Sequence, residues 1–132
     1  MKKTFRIGGV HPDDNKISRN CKIEALPLPQ TVYISMAQHL GAPAKPIVAV
    51  GDKVKAGQPI AEPGGFISAW VHSSVSGTVK SIAPRKDISG NYMTHIEIAV
   101  EGDEWAEGID LSDALVTDIP SDRAAVLAKI QA

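Results

Sequence analysis

The sequence predicts a mostly β fold with an irregular N-terminal arm and a C-terminal helix. Residues 50–60 and 75–82 each surround a glycine with β-branched residues, which is typical of a short strand-turn-strand unit. Residues 93–100 alternate apolar and polar side chains with the period of a strand that has one buried face. Residues 120–132 are rich in alanine and carry apolar side chains at helical spacing.

Size and charge exclude several classes of function. A chain of 132 residues is long enough for one domain with its own core. A formal net charge of −1 gives no basic field for nucleic acid, and 5% aromatic residues give few stacking platforms, so we expect no nucleic-acid partner. The single cysteine, Cys21, can neither form an intrachain disulfide nor hold an iron–sulfur cluster alone.

The N-terminal region, residues 1–30, is predicted to be an arm with edge segments. Residues 4–20 are rich in Gly, Pro, Asp and Asn and lack a sustained period. The prolines in and beside the extended segment at 23–28 restrict it to a sheet edge or a polyproline-like run. A short strand is then expected at 31–36.

The main domain is placed at residues 31–102. Gly51-Asp52 and Ser76-Gly77 are predicted to be turns, because glycine and aspartate suit the backbone of tight turns. A hairpin is expected at 61–70, between the two half-motifs, and a charged turn at 85–91.

The third region, residues 103–132, is predicted to be an acidic loop and a helix that leads to a further domain. The acidic stretch at 101–113 should be a solvated surface loop with a short turn of helix at 111–115. Ser121 is predicted to cap the final helix at its N-terminus. The helix reaches the last residue without a glycine or proline stop, so we expect the chain to be part of a longer polypeptide.

The paired half-motifs resemble the biotinyl/lipoyl-like barrel-sandwich hybrid domains. In carrier members of that group, a lysine on the exposed hairpin between the halves receives biotin or lipoate. Here no lysine lies between Lys55 and Lys80. Swinging-arm chemistry needs that amine, so the resemblance predicts a carrier-like scaffold with another use.

A more specific resemblance covers nearly the whole chain in the same order. It is to the N-terminal region of RnfC, a component of the Rnf complex, which is an ion-translocating ferredoxin:NAD oxidoreductase of bacterial membranes. The matching stretches are FRIGGVHP at 5–12, LPLP at 26–29, QHLGAPAKP at 38–46, VGDKV at 50–54, GQ at 57–58 and VHSSVSG at 71–77.

The resemblance implies a non-catalytic structural or docking domain within an electron-transport subunit. Family members continue into a flavin- and NADH-binding module and then into cysteine motifs for 4Fe-4S clusters. This sequence stops before those parts, so we expect no cofactor in it and assign FMN, NADH and clusters to the parent protein. The implied partners are the downstream flavin/NADH-binding domain and other subunits of the complex, on the cytoplasmic side of the cell membrane.

The hairpin between the half-motifs carries the candidate site. Gly64 and Gly65 lack the GK[ST] pattern of a phosphate loop, so they indicate a hairpin tip. The apolar Phe66 and Ile67 beside that tip would suit docking against a neighbouring domain or subunit. We expect Trp70 to lie in the core.

Two alternatives come from other classes. His39 and His72 could serve a histidine phosphocarrier on a hybrid fold, since such a nucleophile needs an unprotonated nitrogen and a partner that fixes its tautomer. The other is the related N-terminal domain of the A subunit of sodium-translocating NADH:quinone reductase, which the absence of cysteine motifs downstream would indicate. The histidines and the one cysteine lack the short spacings of zinc ligands, so no metal site is predicted.

Overall fold

The computed structural model describes residues 12–115, 117–119 and 121–131. The stretch FRIGGVHP falls almost wholly outside these residues, as does His11. The described part contains seven strands and one helix. They are β1 (Thr31–Ser35), β2 (Lys45–Pro46), β3 (Lys53–Val54), β4 (Pro59–Glu62), β5 (Val71–His72), β6 (Ser76–Lys86), β7 (Tyr92–Gly102) and α1 (Arg123–Gln131).

The strands form two antiparallel sheets. The larger has four strands in the order β1-β7-β6-β3, and the smaller has three in the order β2-β4-β5. The mostly β prediction is confirmed, as are the strands predicted at 31–36 and 93–100. The turn predicted at 85–91 is confirmed over the shorter range 87–91 between β6 and β7.

The core takes side chains from both sheets. Ile96 and Ile98 of β7 are fully buried, which matches the predicted alternation, and Ile60 of β4 is fully buried in the same cluster. Each such side chain contributes roughly 1.5–3 kcal/mol through burial. The remaining buried members of the cluster are Ile34, Met36, Ala44, Val54, Ala61, Val71, Val75 and Val79.

The Gly51-Asp52 turn is confirmed. Gly51 has a positive φ of 97°, and the Asp52 N–H donates to the Ala49 carbonyl at 3.1 Å. The Asp52 carboxylate also accepts the Ala49 N–H at 2.8 Å. Beyond the turn, β3 pairs with β6, and Val79 exchanges backbone hydrogen bonds with Gly51 and Asp52. The two half-motifs are therefore joined directly by a backbone ladder.

The Ser76-Gly77 turn was predicted wrongly. Both residues lie inside β6, a continuous strand with a register shift between them, so the second half-motif is not a strand-turn-strand unit. Glycine is needed here for close packing, because a Cβ on Gly77 would overlap the carbonyl oxygen of Ala99 in β7. A glycine among β-branched residues indicates an unusual backbone position, and a β-bulge is as compatible with that pattern as a turn is.

The C-terminal region differs from prediction in two details. Asp122, not Ser121, caps α1, because its carboxylate accepts the Ala125 N–H at 2.9 Å. The helical turn predicted at 111–115 is wrong. The Asp110 carboxylate accepts the Ser112 N–H at 2.9 Å, and such local side-chain bonds compete with helical hydrogen bonds.

The described part of the arm forms no strand, and it meets the larger sheet at its last residue, where the Gln30 carbonyl accepts the Val100 N–H at 3.0 Å. Residues 12–30 are exposed and contain no strand, so the sheet-edge interpretation of 23–28 is wrong. Cys21 in this segment is exposed. Helix α1 is too short to cross a bilayer, and the described residues hold no other helix.

Candidate docking hairpin

The candidate docking hairpin, residues 61–70, joins β4 to β5 in the smaller sheet. The two strands pair antiparallel, with Pro59 opposite His72 and Ala61 opposite Val71. The hairpin predicted from sequence is thus confirmed, with strand β4 running to Glu62 and an irregular tip over 63–70.

The tip presents apolar side chains to solvent. Phe66 is fully exposed and Ile67 is 63% exposed, and Leu40 in the neighbouring loop is 88% exposed. The core position expected for Trp70 is wrong, since 36% of this residue is exposed. Val71 takes the inward position at the start of β5, and successive strand residues face opposite sides.

A second loop, residues 38–44, supports the hairpin by hydrogen bonds. The Ala42 N–H donates to the Ile67 carbonyl at 2.9 Å. The Ser68 hydroxyl donates to the Ala42 carbonyl at 2.9 Å and accepts the Gly64 N–H at 2.9 Å. The tip therefore has fixed partners on both sides of Phe66.

Glycines allow the two loops to touch through their backbones. A Cβ on Gly64 would overlap the Pro43 carbonyl oxygen, and one on Gly41 would overlap the Ile67 carbonyl oxygen. A Cβ on Gly65 would lie 2.9 Å from that of Ala42. Gly64 and Gly65 thus serve close packing of the hairpin, and the HLGAPAKP stretch supplies the surface against which they pack.

His39 links the same two loops. Its Nδ1 lies 3.0 Å from the Leu40 carbonyl oxygen, and its Nε2 accepts the Ala69 N–H at 3.2 Å. Since a carbonyl can only accept, Nδ1 carries the proton and Nε2 the lone pair. The imidazole is thereby engaged at both nitrogens and holds the hairpin to its support.

His72 lies in a different environment. It lines an open hollow of about 370 Å³ whose other lining residues are Tyr33, Ile34, Ser35, Gln38 and Ser74. His39 is not among these lining residues, and its hydrogen bonds go to Leu40, Ser68 and Ala69. The two histidines have separate partners, and a shared phosphoryl site remains a prediction.

The acidic stretch at 101–113 is more than a solvated surface. Ala56 donates its N–H to the Glu104 carbonyl at 2.9 Å and accepts the Ala106 N–H at 2.8 Å, which forms a short parallel bridge beside Trp105. The Lys55 ammonium lies 2.8 Å from the Glu104 carboxylate. That hydrogen bond lowers the pKa of Glu104 and raises the pKa of Lys55. The sequence analysis did not predict this backbone bridge or this ion pair.

A polar network on the larger sheet was also missed. Glu97 accepts hydrogen bonds from the Ser81 hydroxyl at 2.6 Å, the Tyr33 hydroxyl at 3.3 Å and the Arg85 guanidinium at 3.3 Å. The Ser81 bond is the main cause of a lowered pKa at Glu97, with Tyr33 and Arg85 adding to it. Register could have revealed the network, because Tyr33 and Ser81 both lie opposite Glu97.

The described residues offer contact surfaces and no cluster suited to a metal. Within 12–115, 117–119 and 121–131, no three His, Cys, Asp or Glu side chains are grouped so that they could hold a metal ion. What the hairpin provides is an apolar tip on a fixed backbone.

Comparisons with known proteins agree with this architecture. A family model described as the RnfC barrel sandwich hybrid domain matches residues 3–104. The C subunit of the proton-translocating ferredoxin:NAD(+) oxidoreductase complex of Clostridium ljungdahlii is 46% identical over 114 residues, which are 85% of this chain and 25% of that protein. The corresponding subunit of the Na(+)-translocating complex of Acetobacterium woodii is 41% identical over 104 residues, or 75% of this chain and 22% of that protein.

A third relative is a longer protein, of which the match covers a smaller share. The corresponding subunit of the ion-translocating oxidoreductase complex of Pseudomonas aeruginosa is 40% identical over 106 residues, or 78% of this chain and 14% of that protein. The chain spans about a quarter or less of the length of these relatives. The matches favour the Rnf interpretation over the quinone reductase and phosphocarrier alternatives. By its family match and its two-sheet fold, the chain belongs to the RnfC barrel sandwich hybrid domains.

Proposed function

We propose that this chain is a non-catalytic docking domain of an RnfC-type subunit and that the tip of the docking hairpin is its contact surface. The relatives are subunits of complexes that couple ferredoxin:NAD(+) oxidoreduction to ion translocation. The parent activity of this chain would be the same, carried by FMN and 4Fe-4S clusters held elsewhere in the longer protein. The site would face other parts of a membrane complex on its cytoplasmic side.

The observation that supports this most strongly is a fully exposed phenylalanine on a fixed tip. Burying Phe66 in an interface would contribute roughly 1.5–3 kcal/mol. Because the hydrogen bonds of Ser68 and Ala42 hold the tip, little conformational entropy would be lost on binding. Aromatic anchors of this kind dominate the energy of many interfaces.

The hairpin cannot serve as an acyl carrier. No lysine lies between Lys55 and Lys80, so the tip lacks an amine for biotin or lipoate. Its polar groups at Gly64, Ser68 and Ala69 are already used in internal hydrogen bonds. Contact through apolar surface is the role that remains for it.

We propose that the flavin/NADH-binding part of the same polypeptide covers the tip. The Trp70 N–H donates to the Gln131 carbonyl at 3.1 Å, so the end of α1 lies beside the hairpin. A following segment would begin next to the hairpin. The helix also leaves Leu127 and Ile130 exposed, at 47% and 71%, as further apolar area for such a neighbour.

Hydrogen exchange tests this proposal. The amides of residues 63–70 should exchange more slowly in the full-length subunit than in the 132-residue chain, and Phe66→Ser should abolish the added protection. Ile88→Ser, at the fully exposed tip of the other long hairpin, is the matched control. Protection seen only in the assembled complex would assign the tip to another subunit, and no added protection in either form would refute docking.

A further inference from the structure

An open hollow at the end of the larger sheet has no role in the docking proposal. It lies where β6 turns into β7 and has a volume of about 510 Å³, within the range of small-molecule sites. Its lining residues are Tyr33, Pro84, Arg85, Lys86, Tyr92 and His95.

His95 gives the hollow a fixed polar group. The residue is only 9% exposed, and its Nδ1 lies 2.8 Å from the Met93 carbonyl oxygen. That carbonyl can only accept, so Nδ1 is the protonated nitrogen. The other nitrogen, Nε2, makes no hydrogen bond to the described residues. It can accept from a hydroxyl when neutral and donate to an oxyanion when the ring is charged.

Two cations stand over aromatic rings at the rim. The Arg85 guanidinium lies 3.7 Å from the centre of the Tyr33 ring, and the Lys86 ammonium lies 5.8 Å from that of Tyr92. Stacking of this kind holds a long cationic side chain in place without neutralising it. Lys86 forms no ion pair with the described residues.

No Asp or Glu is among the described residues that line the hollow, and the two nearby acidic side chains accept internal hydrogen bonds. The Glu97 carboxylate accepts hydrogen bonds from Ser81, Tyr33 and Arg85. The Asp87 carboxylate accepts the N–H groups of Ser89 and Asn91, at 2.8 and 2.9 Å, inside the turn. The lining side chains that can donate to a ligand are those of Lys86, Arg85 and Tyr92.

We propose that this hollow binds a phosphate group. A phosphate at neutral pH carries both anionic oxygens and, in part, a hydroxyl. The oxygens would accept from Lys86 and Arg85, and a hydroxyl would suit the Nε2 of His95. Phosphate offers more acceptor oxygens than a carboxylate to the several donors that line the hollow, which makes it the better match.

The phosphate can come from a free small molecule or from a phospholipid headgroup. Ile88, at the tip of the same hairpin, is fully exposed and would enter the apolar edge of a bilayer. Tyrosines such as Tyr92 favour membrane–water interfaces, and each cation near an anionic surface adds to binding. The test distinguishes the two sources.

The experiment uses the intact chain with two probes. Inorganic phosphate is titrated while the imidazole resonances of His95 are followed by NMR. Co-sedimentation is measured in parallel with phosphatidylcholine vesicles that contain or lack phosphatidylglycerol. Lys86→Gln is compared with Lys80→Gln, which removes the same charge from an exposed position of β6 that does not line the hollow.

Phosphate-dependent shifts at His95 that weaken about five-fold in Lys86→Gln, and not in Lys80→Gln, would establish a site for free phosphate. Binding to anionic vesicles alone, reduced by both Lys86→Gln and Ile88→Ser, would establish a headgroup site. No binding to either probe would overturn the proposal, and so would equal losses in Lys86→Gln and Lys80→Gln.

Discussion

The Nε2 of His39 accepts the backbone N–H of Ala69 at 3.2 Å, across 30 residues of sequence. This bond fixes the docking hairpin to the loop at 38–44, to which His39 belongs. Within that loop, the Nδ1 of the same imidazole donates to the Leu40 carbonyl. A histidine considered as a phosphoryl acceptor thus has a structural use, which is to hold the hairpin that carries Phe66 against the supporting loop.

Replacing His39 by alanine should loosen the hairpin. The variant leaves the Ala69 N–H without its partner, so we expect a loss of about 1 kcal/mol in the free energy of unfolding and faster exchange of that amide. Hydrogen exchange by NMR measures both local and global effects. His72→Ala, which removes no hydrogen bond to the hairpin, is the control. Unchanged exchange at Ala69 in His39→Ala would contradict the linking role.

Truncation of Phe66 should change the free energy of unfolding far less than truncation of Ile60. Phe66→Ser should leave the free energy of unfolding within about 0.5 kcal/mol of the parent, because the side chain is fully exposed to solvent. Ile60→Ala should cost about 2–5 kcal/mol, because it opens a cavity in the core. Urea denaturation measures both. A large loss in Phe66→Ser would show that the tip is part of the fold's own packing.

Gly77→Ala should be among the most damaging small changes. The added Cβ would overlap the Ala99 carbonyl in the centre of the larger sheet, and backbone cannot move there without breaking the β6–β7 ladder. We expect a loss of about 3 kcal/mol, the upper end of the usual range for overpacking. Gly90→Ala separates crowding from backbone strain, since Gly90 has a φ of 83° and open space around it. It should cost only about 1 kcal/mol.

The strands were predicted from the sequence more accurately than the turns and bulges. The alternation at 93–100 identifies β7 because burial of Ile96 and Ile98 leaves a period of two in any such strand. Gly77 shows the limit of that reasoning. A glycine among β-branched residues signals an unusual backbone position, but a turn and a bulge give the same local pattern, and only the distant Ala99 decides between them.

In the docking hairpin too, local features were predicted from sequence and contacts between distant residues were not. The hairpin and its apolar tip follow from local composition, so the sequence placed Gly64, Gly65, Phe66 and Ile67 correctly between two strands, and their docking role stays a prediction. Its support by the 38–44 loop depends on contacts between residues about 25 apart, which no local pattern reports. Trp70 was misplaced because bulk and apolarity favour the core, whereas the residue lies in the irregular tip just before β5, where the next residue, Val71, takes the buried position.

Glu97 should make stability depend on acid pH. Its folded-state pKa is lowered, first by the Ser81 hydrogen bond and then by Tyr33 and Arg85. The unfolded chain therefore binds a proton more readily than the folded one. The contribution of Glu97 to stability is fully present above its unfolded pKa of about 4.5 and is lost as the pH falls through the lower folded-state value.

The free energy of unfolding of the parent and of Glu97→Gln, measured between pH 7 and pH 3, checks this dependence. The parent should be more stable than Glu97→Gln at neutral pH, and the difference should shrink as the solution is acidified, because the protonated carboxyl no longer attracts Arg85. Glu24→Gln, in the exposed arm, controls for the loss of one negative charge. A gap between parent and Glu97→Gln that stays constant down to pH 3 would show that the network stabilises the sheet by packing rather than by charge.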